Sequence, residues 1–308
     1  RCDVTKEEDW RQAVDQVVSR YGKLDILVNF AGISSSIYKD DFDGDAWDIL
    51  LKGGTNIHRA LPFGSVLTLP ATGSEMNKGA VVTRKSLQAK LPFHSEHVFP
   101  QFSVLDPTKS FTLPPRQVAN GVVDAFVHIV EQYLTYPASA PVQDRFAEGL
   151  LQTLIDIGPQ ALSDPENYSV RADLMWVATL ALNGLIGAGV PQDWATHMLG
   201  HELTALHGLD HAQTLAIVLP AMLTERKDAK HGKLVQYAQR VWSIHEGSES
   251  EQAEAAIEKP RAFFESLGVK TRLGDYQLAE EHIEPLIKSL EEHGMTALGE
   301  HNAVTPDV

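Results

Sequence analysis

The sequence has little of what marks disulfide-linked or nucleic-acid-binding proteins. Cys2 is the single cysteine among 308 residues, which excludes a disulfide framework and a thiolate-rich metal site within the chain. Lysine and arginine number 26 against 41 acidic residues, for a formal net charge of −15. This excess of negative charge argues against nucleic acid or an anionic membrane as the main partner. A reducing, cytoplasmic location is expected.

Long apolar runs are also missing. The two most apolar stretches, residues 177–190 and 212–223, are interrupted by glycine, asparagine or proline, and both fall short of the about 20 residues that a spanning helix needs. We therefore expect buried helices there and no membrane segment. The first residue is Arg1, and no secretory signal precedes Asp3, so we expect the chain to be a fragment.

The first third of the chain has the pattern of an α/β layer. Residues 5–21 carry apolar side chains at helical spacing, and residues 24–28 form a short apolar run typical of a buried parallel strand. Loops with one short helix are expected over residues 34–54. Further strands are predicted over residues 63–68, 80–84 and 98–105.

The pattern changes after Pro114 and Pro115, and the rest of the chain is predicted to be helical. Proline is well tolerated at a helix start, where its missing N–H costs nothing. The predicted helices cover residues 116–134, 142–157, 170–185, 193–206, 210–224, 233–242, 250–267 and 282–293. A domain boundary near Thr112 follows, with domains over residues 1–112 and 113–308.

Histidine is concentrated in one part of this helical region. His197, His201, His207 and His211 fall within fifteen residues, although the whole chain has only 13 histidines. On a helix, residues four apart lie on one face, so His197 and His201 can point to a common spot. The cluster is far denser than the average of the chain and indicates a shared role.

Asp124 and His128 have the same spacing and lie in an otherwise apolar stretch. Carboxylate oxygen and neutral imidazole nitrogen are good ligands for Zn²⁺ or Fe²⁺. The alternative is that Asp124 pairs locally and the histidines are ordinary helix residues. A buried charge needs a partner, which favours the metal site.

The spacing of candidate metal ligands along the sequence also bears on two classes of hydrolase, metalloproteases and phosphohydrolases. In the metalloprotease helix the second ligand follows the first by four residues, and here Ala205 occupies that position after His201. A metal-dependent phosphohydrolase on a helical scaffold stays open as an alternative, although the His-Asp dipeptide that would favour it does not occur in the sequence.

Four segments together form a recognisable pattern: residues 67–75 (LTLPATGSE), 105–107 (LDP), 121–128 (GVVDAFVH) and 197–211 (HMLGHE through HGLDH). Through them, the sequence from Trp47 to the carboxyl end resembles the iron-containing (group III) alcohol dehydrogenases. The resemblance is greatest to the branch of NADPH-dependent aldehyde reductases and butanol dehydrogenases.

The resemblance implies an incomplete Rossmann-like dinucleotide-binding part followed by an all-helical metal-binding domain. It further implies one Zn²⁺ or Fe²⁺ ion held by Asp124, His128, His197 and His211, with His201 near the nicotinamide as a proton relay. NADP(H) is the expected cofactor, small alcohols and aldehydes are the expected substrates, and a homodimer is the expected assembly. The positions that match cofactor contacts in the family are Thr68, Thr72, Gly73, Ser74, Asn77 and Lys90.

The amino-terminal residues depart from this family. Its Gly-Gly-Gly-Ser phosphate loop does not occur here, and residues 1–50 instead resemble part of a short-chain dehydrogenase/reductase, with Asp3-Val4 and the strand end Asn29-Phe30-Ala31-Gly32. No tyrosine has a lysine four residues later, so the catalytic pair of that second family is missing. We infer a chimera. A catalytically silent metal-binding fragment is the corresponding alternative to an active reductase.

Overall fold

A computed structural model describes residues 12, 15, 16, 19, 20 and 47–307 of the chain. The five isolated residues are helical and exposed, as expected within the helix predicted over residues 5–21. The strand predicted over residues 24–28 lies outside the described residues. Within the described part, no helix combines the length and the apolar character needed to cross a bilayer.

Within the described residues, the β-strands form two small sheets. The elements before the helical region are α1 (Trp47–Leu51), β1 (Gly64–Val66), β2 (Gly79–Arg84), β3 (Ala89–His94) and β4 (Phe102–Val104). Strands β1 and β4 pair in parallel, with Gly64 opposite Phe102, and β2 pairs with β3. The strands predicted over residues 63–68, 80–84 and 98–105 are confirmed in shorter or shifted form, whereas β3 was not predicted.

Eight α-helices follow, as the periodicity predicts, and their bounds differ from the predicted ones by a few residues. They are α2 (Pro115–Tyr133), α3 (Pro141–Ser163), α4 (Tyr168–Leu182), α5 (Ala195–His207), α6 (His211–Glu225), α7 (His231–Val241), α8 (Glu249–Ser266) and α9 (Ile283–Glu292).

Helix α2 forms the centre of the helical region. Every residue from Val118 to Tyr133 is buried, because the helix is apolar on nearly all sides and packs against α3, α4 and α6. The Phe126 ring packs edge-on against Phe264, with 5.3 Å between ring centroids. Any polar residue between Val118 and Tyr133 is therefore buried in the interior, and Asp124 and His128 are two of them.

The described residues divide into two compact units. One contains the residues up to 68 together with 74–80 and 92–105, and the other contains 69–73, 81–91 and 106–307. The histidines and carboxylates described below all belong to the second unit. The domain limits predicted from the sequence, 1–112 and 113–308, stay a prediction.

Helix α2 passes so close to the segment before it that position 121 accepts only glycine. A Cβ atom on Gly121 would overlap the carbonyl oxygen of Pro70, and backbone cannot yield as a flexible side chain can. Gly149 on α3 is exposed and has no atom within 4 Å of the same position. Gly121 and Gly149 are both helical, so alanine substitutions at the two positions can be compared directly.

We predict opposite effects of alanine at these two positions. Gly121→Ala should lower the free energy of unfolding by about 1–3 kcal/mol through overpacking. Gly149→Ala should raise it by about 0.5–1 kcal/mol, because glycine in a helix loses more backbone entropy on folding. Urea unfolding followed by circular dichroism measures both. Equal effects of the two substitutions would contradict the packing described for α2.

Candidate metal centre

The first half of the site is supplied by α2. Asp124 is 3% exposed, and the Nδ1 atom of His128, one turn later, lies 3.6 Å from its Oδ1 atom. The spacing of four residues places both side chains on the same face of the helix. The sequence-based expectation that these two residues point to a common spot is confirmed.

The second half comes from the reversal between α5 and α6. Gly208 ends α5 with a φ of +70°, a left-handed conformation that favours glycine. Asp210 then begins α6, and its N–H donates to the Gln213 side chain at 3.0 Å. This short reversal returns His211 to the neighbourhood of His197, with 5.2 Å between the ring centroids.

The two helices approach each other closely enough to require a small residue. A Cβ atom on Gly200 would lie 2.8 Å from Oγ1 of Thr214, tighter than ordinary van der Waals contact. The glycine at position 200 therefore lets α5 pack against α6 with the histidines facing α2. The consequence is that imidazoles from both helices reach Asp124.

Three ring nitrogens surround one carboxylate oxygen. Oδ1 of Asp124 lies 3.6 Å from Nδ1 of His128, 3.8 Å from Nε2 of His197 and 3.6 Å from Nε2 of His211. Ligand atoms of Asp124, His128 and His197 all lie within 4.8 Å of one another. Ligands of a tetrahedral ion with bonds of about 2.1 Å are roughly 3.4 Å apart, so the observed distances fit a divalent cation.

The hydrogen bonding of these atoms favours the same interpretation. Oδ1 of Asp124, Nδ1 of His128 and Nε2 of His197 are buried and have no hydrogen-bond partner. Buried polar atoms are nearly always paired, and here three unpaired ones converge. His211, whose side chain is 24% exposed, is the most exposed of the four residues, since the other three side chains are 5–6% exposed.

Burial keeps most of the imidazoles neutral. It lowers the pKa of His128 to about 4, even though the negative charge of Asp124 opposes the shift. Burial, together with the charges of neighbouring histidines and Lys90, lowers the pKa of His201 and His211 well below the usual value. Neutral imidazoles keep a lone pair, which is the form that binds a metal ion.

The pKa values of Asp124 and His197 are shifted in the direction that favours the charged form of each group. Burial alone would raise the pKa of Asp124, but His128, His197 and His211 outweigh it and hold the pKa below the usual range. Burial would likewise lower the pKa of His197, yet the adjacent carboxylates of Glu131 and Asp124 raise it to about 9. The site thus holds negative charge opposite its imidazoles.

His201 lies beside the predicted ligands. Unlike His128, His197 and His211, it does not face Asp124. It is 2% exposed, its ring centroid lies 5.1 Å from that of His211, and both its ring nitrogens have no hydrogen-bond partner. Lys90, predicted as a cofactor contact, is buried in the same unit, and burial lowers its pKa to about 8 while the charge of Asp124 opposes the shift. Both residues therefore belong to the surroundings of the cluster.

The other predicted cofactor contacts lie in and around a turn. Gly73 has a φ of +59°, and Oδ1 of Asn77 accepts a bond from the Gly79 backbone at 3.1 Å. Thr68 and Ser74 are partly buried, and Thr72 is exposed. Their binding of a cofactor stays a prediction.

Sequence reasoning missed one residue that contacts the cluster. Glu131 is buried on α2 and bonds to Nδ1 of His197. A signal for it exists in the sequence, because Glu131 follows Asp124 by seven residues in a helix otherwise rich in valine and alanine. Two turns of helix place it on the same face.

Two family models match the chain. The C-terminal model of the Fe-containing alcohol dehydrogenase family matches residues 118–302, and the iron-containing alcohol dehydrogenase model matches residues 31–107. The second match begins inside the segment for which we inferred a chimeric origin, and it gives that inference no support. The first match covers all four predicted ligands.

Among curated proteins, the chain is 66% identical to the NADPH-dependent aldehyde reductase YqhD of Escherichia coli K12 over 264 residues, which are 86% of this chain and 68% of that protein. It is 40% identical over 250 residues to the probable NADH-dependent butanol dehydrogenase 1 of Bacillus subtilis, with coverage of 80% and 64%. The chain thus spans about two thirds of the length of these relatives.

Solved structures are similar as well. A crystal structure of E. coli YqhD has a TM-score of 0.88 and 57% identity, covering 98% of this chain and 79% of that one. The NADH-dependent butanol dehydrogenase A of Thermotoga maritima has a TM-score of 0.81 and 30% identity, covering 92% and 72%. These matches confirm the predicted fold class, a Rossmann-like amino-terminal part followed by an all-helical domain.

The geometry predicts that Asp124→Asn abolishes stoichiometric binding of Zn²⁺, because the carboxylate is the one atom group that faces all three imidazoles. Elemental analysis after dialysis against Zn²⁺ and then against metal-free buffer measures the ion retained per chain. Asp144→Asn serves as control, since Asp144 pairs with Lys233 at 2.7 Å and lies outside the cluster. Retention of one ion by the Asp124→Asn variant would contradict the assignment.

Proposed function

The chain belongs to the iron-containing alcohol dehydrogenase family, and from that premise we propose that it is a metal-dependent, nicotinamide-linked alcohol dehydrogenase or aldehyde reductase. The observation that carries the proposal is the convergence of unpaired ligand atoms on Oδ1 of Asp124. A site of this kind is built from residues of three helices and serves no evident purpose in packing.

We assign the binding of one divalent ion to Asp124, His128, His197 and His211. The set offers only nitrogen and oxygen, so both Zn²⁺ and Fe²⁺ are suitable. When bound, the ion supplies Lewis acidity at the substrate oxygen and the nicotinamide supplies or accepts a hydride. The residues themselves bind and orient, and the buried surroundings of Asp124 exclude water and strengthen these electrostatic interactions.

His201 is the residue to which we assign the proton of the substrate hydroxyl. Its two ring nitrogens have no partner in the protein, so either Nδ1 or Nε2 is available to accept a proton. The low pKa caused by burial keeps the imidazole neutral, the form that accepts a proton from an alcohol.

NADP(H) is the cofactor that we favour, because the E. coli relative is an NADPH-dependent aldehyde reductase. Other relatives are NADH-dependent butanol dehydrogenases, which makes NAD(H) the second choice. The substrate class proposed is small aldehydes and alcohols. The homodimeric state and cytoplasmic location stay predictions. The proposed cofactor contacts are Thr68, Thr72, Gly73, Ser74, Asn77 and Lys90.

The competing proposal is a metal-binding fragment without activity. It is favoured by the missing Gly-Gly-Gly-Ser loop, because backbone N–H groups at a glycine-rich helix start bind the pyrophosphate of a dinucleotide. Titration with NADPH, followed by nicotinamide fluorescence, separates the two proposals. Binding at micromolar cofactor supports the reductase, whereas no binding at millimolar cofactor supports the inactive fragment.

We predict that the Zn²⁺- or Fe²⁺-loaded chain oxidises NADPH in the presence of a small aldehyde such as butanal. Removal of the ion with a chelator should abolish the reaction, and return of the ion should restore it. Undiminished oxidation of NADPH by the chelated chain would contradict a metal-dependent reaction.

His201→Gln should lower the turnover number by about 10²–10⁴-fold, the usual contribution of a general acid or base, while the metal content stays unchanged. His245→Gln is the matched control, because His245 is exposed on the loop after α7. Turnover of His201→Gln equal to that of the control at every pH would remove the proposed role of His201.

A further inference from the structure

We propose that Glu131 is a positioning residue for the metal centre, which sets both the proton of the His197 ring and the placement of α5 against α2. The proposal rests on the ligand set proposed above and adds a residue that does not itself bind the ion. It is argued from the bonds that the Glu131 carboxylate makes.

Both oxygens of this carboxylate are directed at the start of α5. Oε2 bonds to Nδ1 of the His197 ring, and Oε1 accepts the backbone N–H of Thr196 at 2.6 Å and that of His197 at 3.4 Å. Glu131 is 3% exposed, so water does not compete for these bonds. One side chain of α2 therefore holds the ring and the backbone of a residue on another helix.

The bond to the ring decides which nitrogen of His197 is free. A carboxylate can only accept hydrogen bonds, so in the neutral, metal-binding form of the His197 imidazole the proton is held on Nδ1. The lone pair is then on Nε2, the atom that lies 3.8 Å from Oδ1 of Asp124 and has no partner. Carboxylates that accept the second N–H of a metal-binding histidine fix its tautomer and orientation and increase its basicity.

The bonds to the backbone replace a conventional helix cap. The first N–H groups of any helix have no partner within the helix, and the N-cap residue of α5, Trp194, has a φ of +65° and offers no side-chain cap. Asp193 supplies one bond, to the Ala195 N–H at 2.9 Å, and Glu131 supplies those to Thr196 and His197. The start of α5 is therefore fixed by the helix that carries Asp124.

A second set of hydrogen bonds, independent of the Glu131 side chain, also holds the start of α5. Lys230 is buried and donates to Asp193 at 2.9 Å, to Glu300 at 2.7 Å and to the Leu134 carbonyl at 2.6 Å. The Asp193 N–H donates to the backbone carbonyl of Glu131 at 2.9 Å, and this bond does not depend on the side chain. A substitution at position 131 thus leaves α5 anchored, and the variant is expected to fold.

The test compares two buried glutamates. Glu131→Gln keeps the shape of the side chain but removes its charge. Glu148→Gln does the same on α3, where Glu148 is equally buried and bonds to Tyr133 and Arg240, each at 3.0 Å. Zn²⁺ affinity is measured by competition with a coloured chelator, and urea unfolding reports the stability of each variant.

We expect Glu131→Gln to weaken Zn²⁺ binding by about 10–100-fold and Glu148→Gln to leave it unchanged. Equal affinity of the parent chain and Glu131→Gln would overturn the role of Glu131 while the proposed function stood. A parent chain that binds no Zn²⁺ would overturn both.

A second measurement separates positioning from a loss of stability. In the Zn²⁺-saturated chain labelled with ¹⁵N-histidine, the Nδ1 proton of His197 should resonate further downfield in the parent than in Glu131→Gln, because charge-assisted hydrogen bonds are shorter and stronger. His197→Gln assigns the signal. The same chemical shift in both chains would overturn the proposal, whatever the stability of the variant.

Discussion

The carboxylate of Asp124 lies inside the core on a helix that is otherwise almost wholly apolar, and the rest of the site is arranged around it. A buried carboxylate is costly unless positive charge or hydrogen-bond donors face it. The structure provides imidazoles from three helices, but leaves the oxygen nearest to them without a hydrogen bond. A shared cation resolves both conditions, since it neutralises the carboxylate and completes the bonds of the ring nitrogens.

Different helices supply different parts of the site. Helix α2 supplies Asp124, His128 and Glu131 from one face, while the rest of its surface packs against α3, α4 and α6. The reversal at Gly208 brings α5 and α6 back to that face with their histidines. Because rigid packed helices position these side chains, the cluster does not rely on a flexible loop, as preorganised metal sites require.

Much of this could be predicted from sequence, for reasons that differ between residues. The long helices follow from apolar periodicity, and the spacing of Asp124 and His128 places them together without any knowledge of tertiary structure. Strand β3 was not predicted because Pro92 interrupts it, and proline removes a donor from a strand. Glu131 was not predicted because its partner, His197, is distant in sequence, and only the packing of α5 on α2 brings the two together.

Anomalous diffraction from crystals of the Zn²⁺-loaded chain, recorded on both sides of the zinc absorption edge, tests the central claim most directly. The account predicts one strong peak at about 2.0–2.2 Å from ligand atoms of Asp124, His128, His197 and His211, the bond lengths that zinc forms with oxygen and nitrogen. A peak elsewhere, or none at that position, would contradict the claim that these four side chains share one ion.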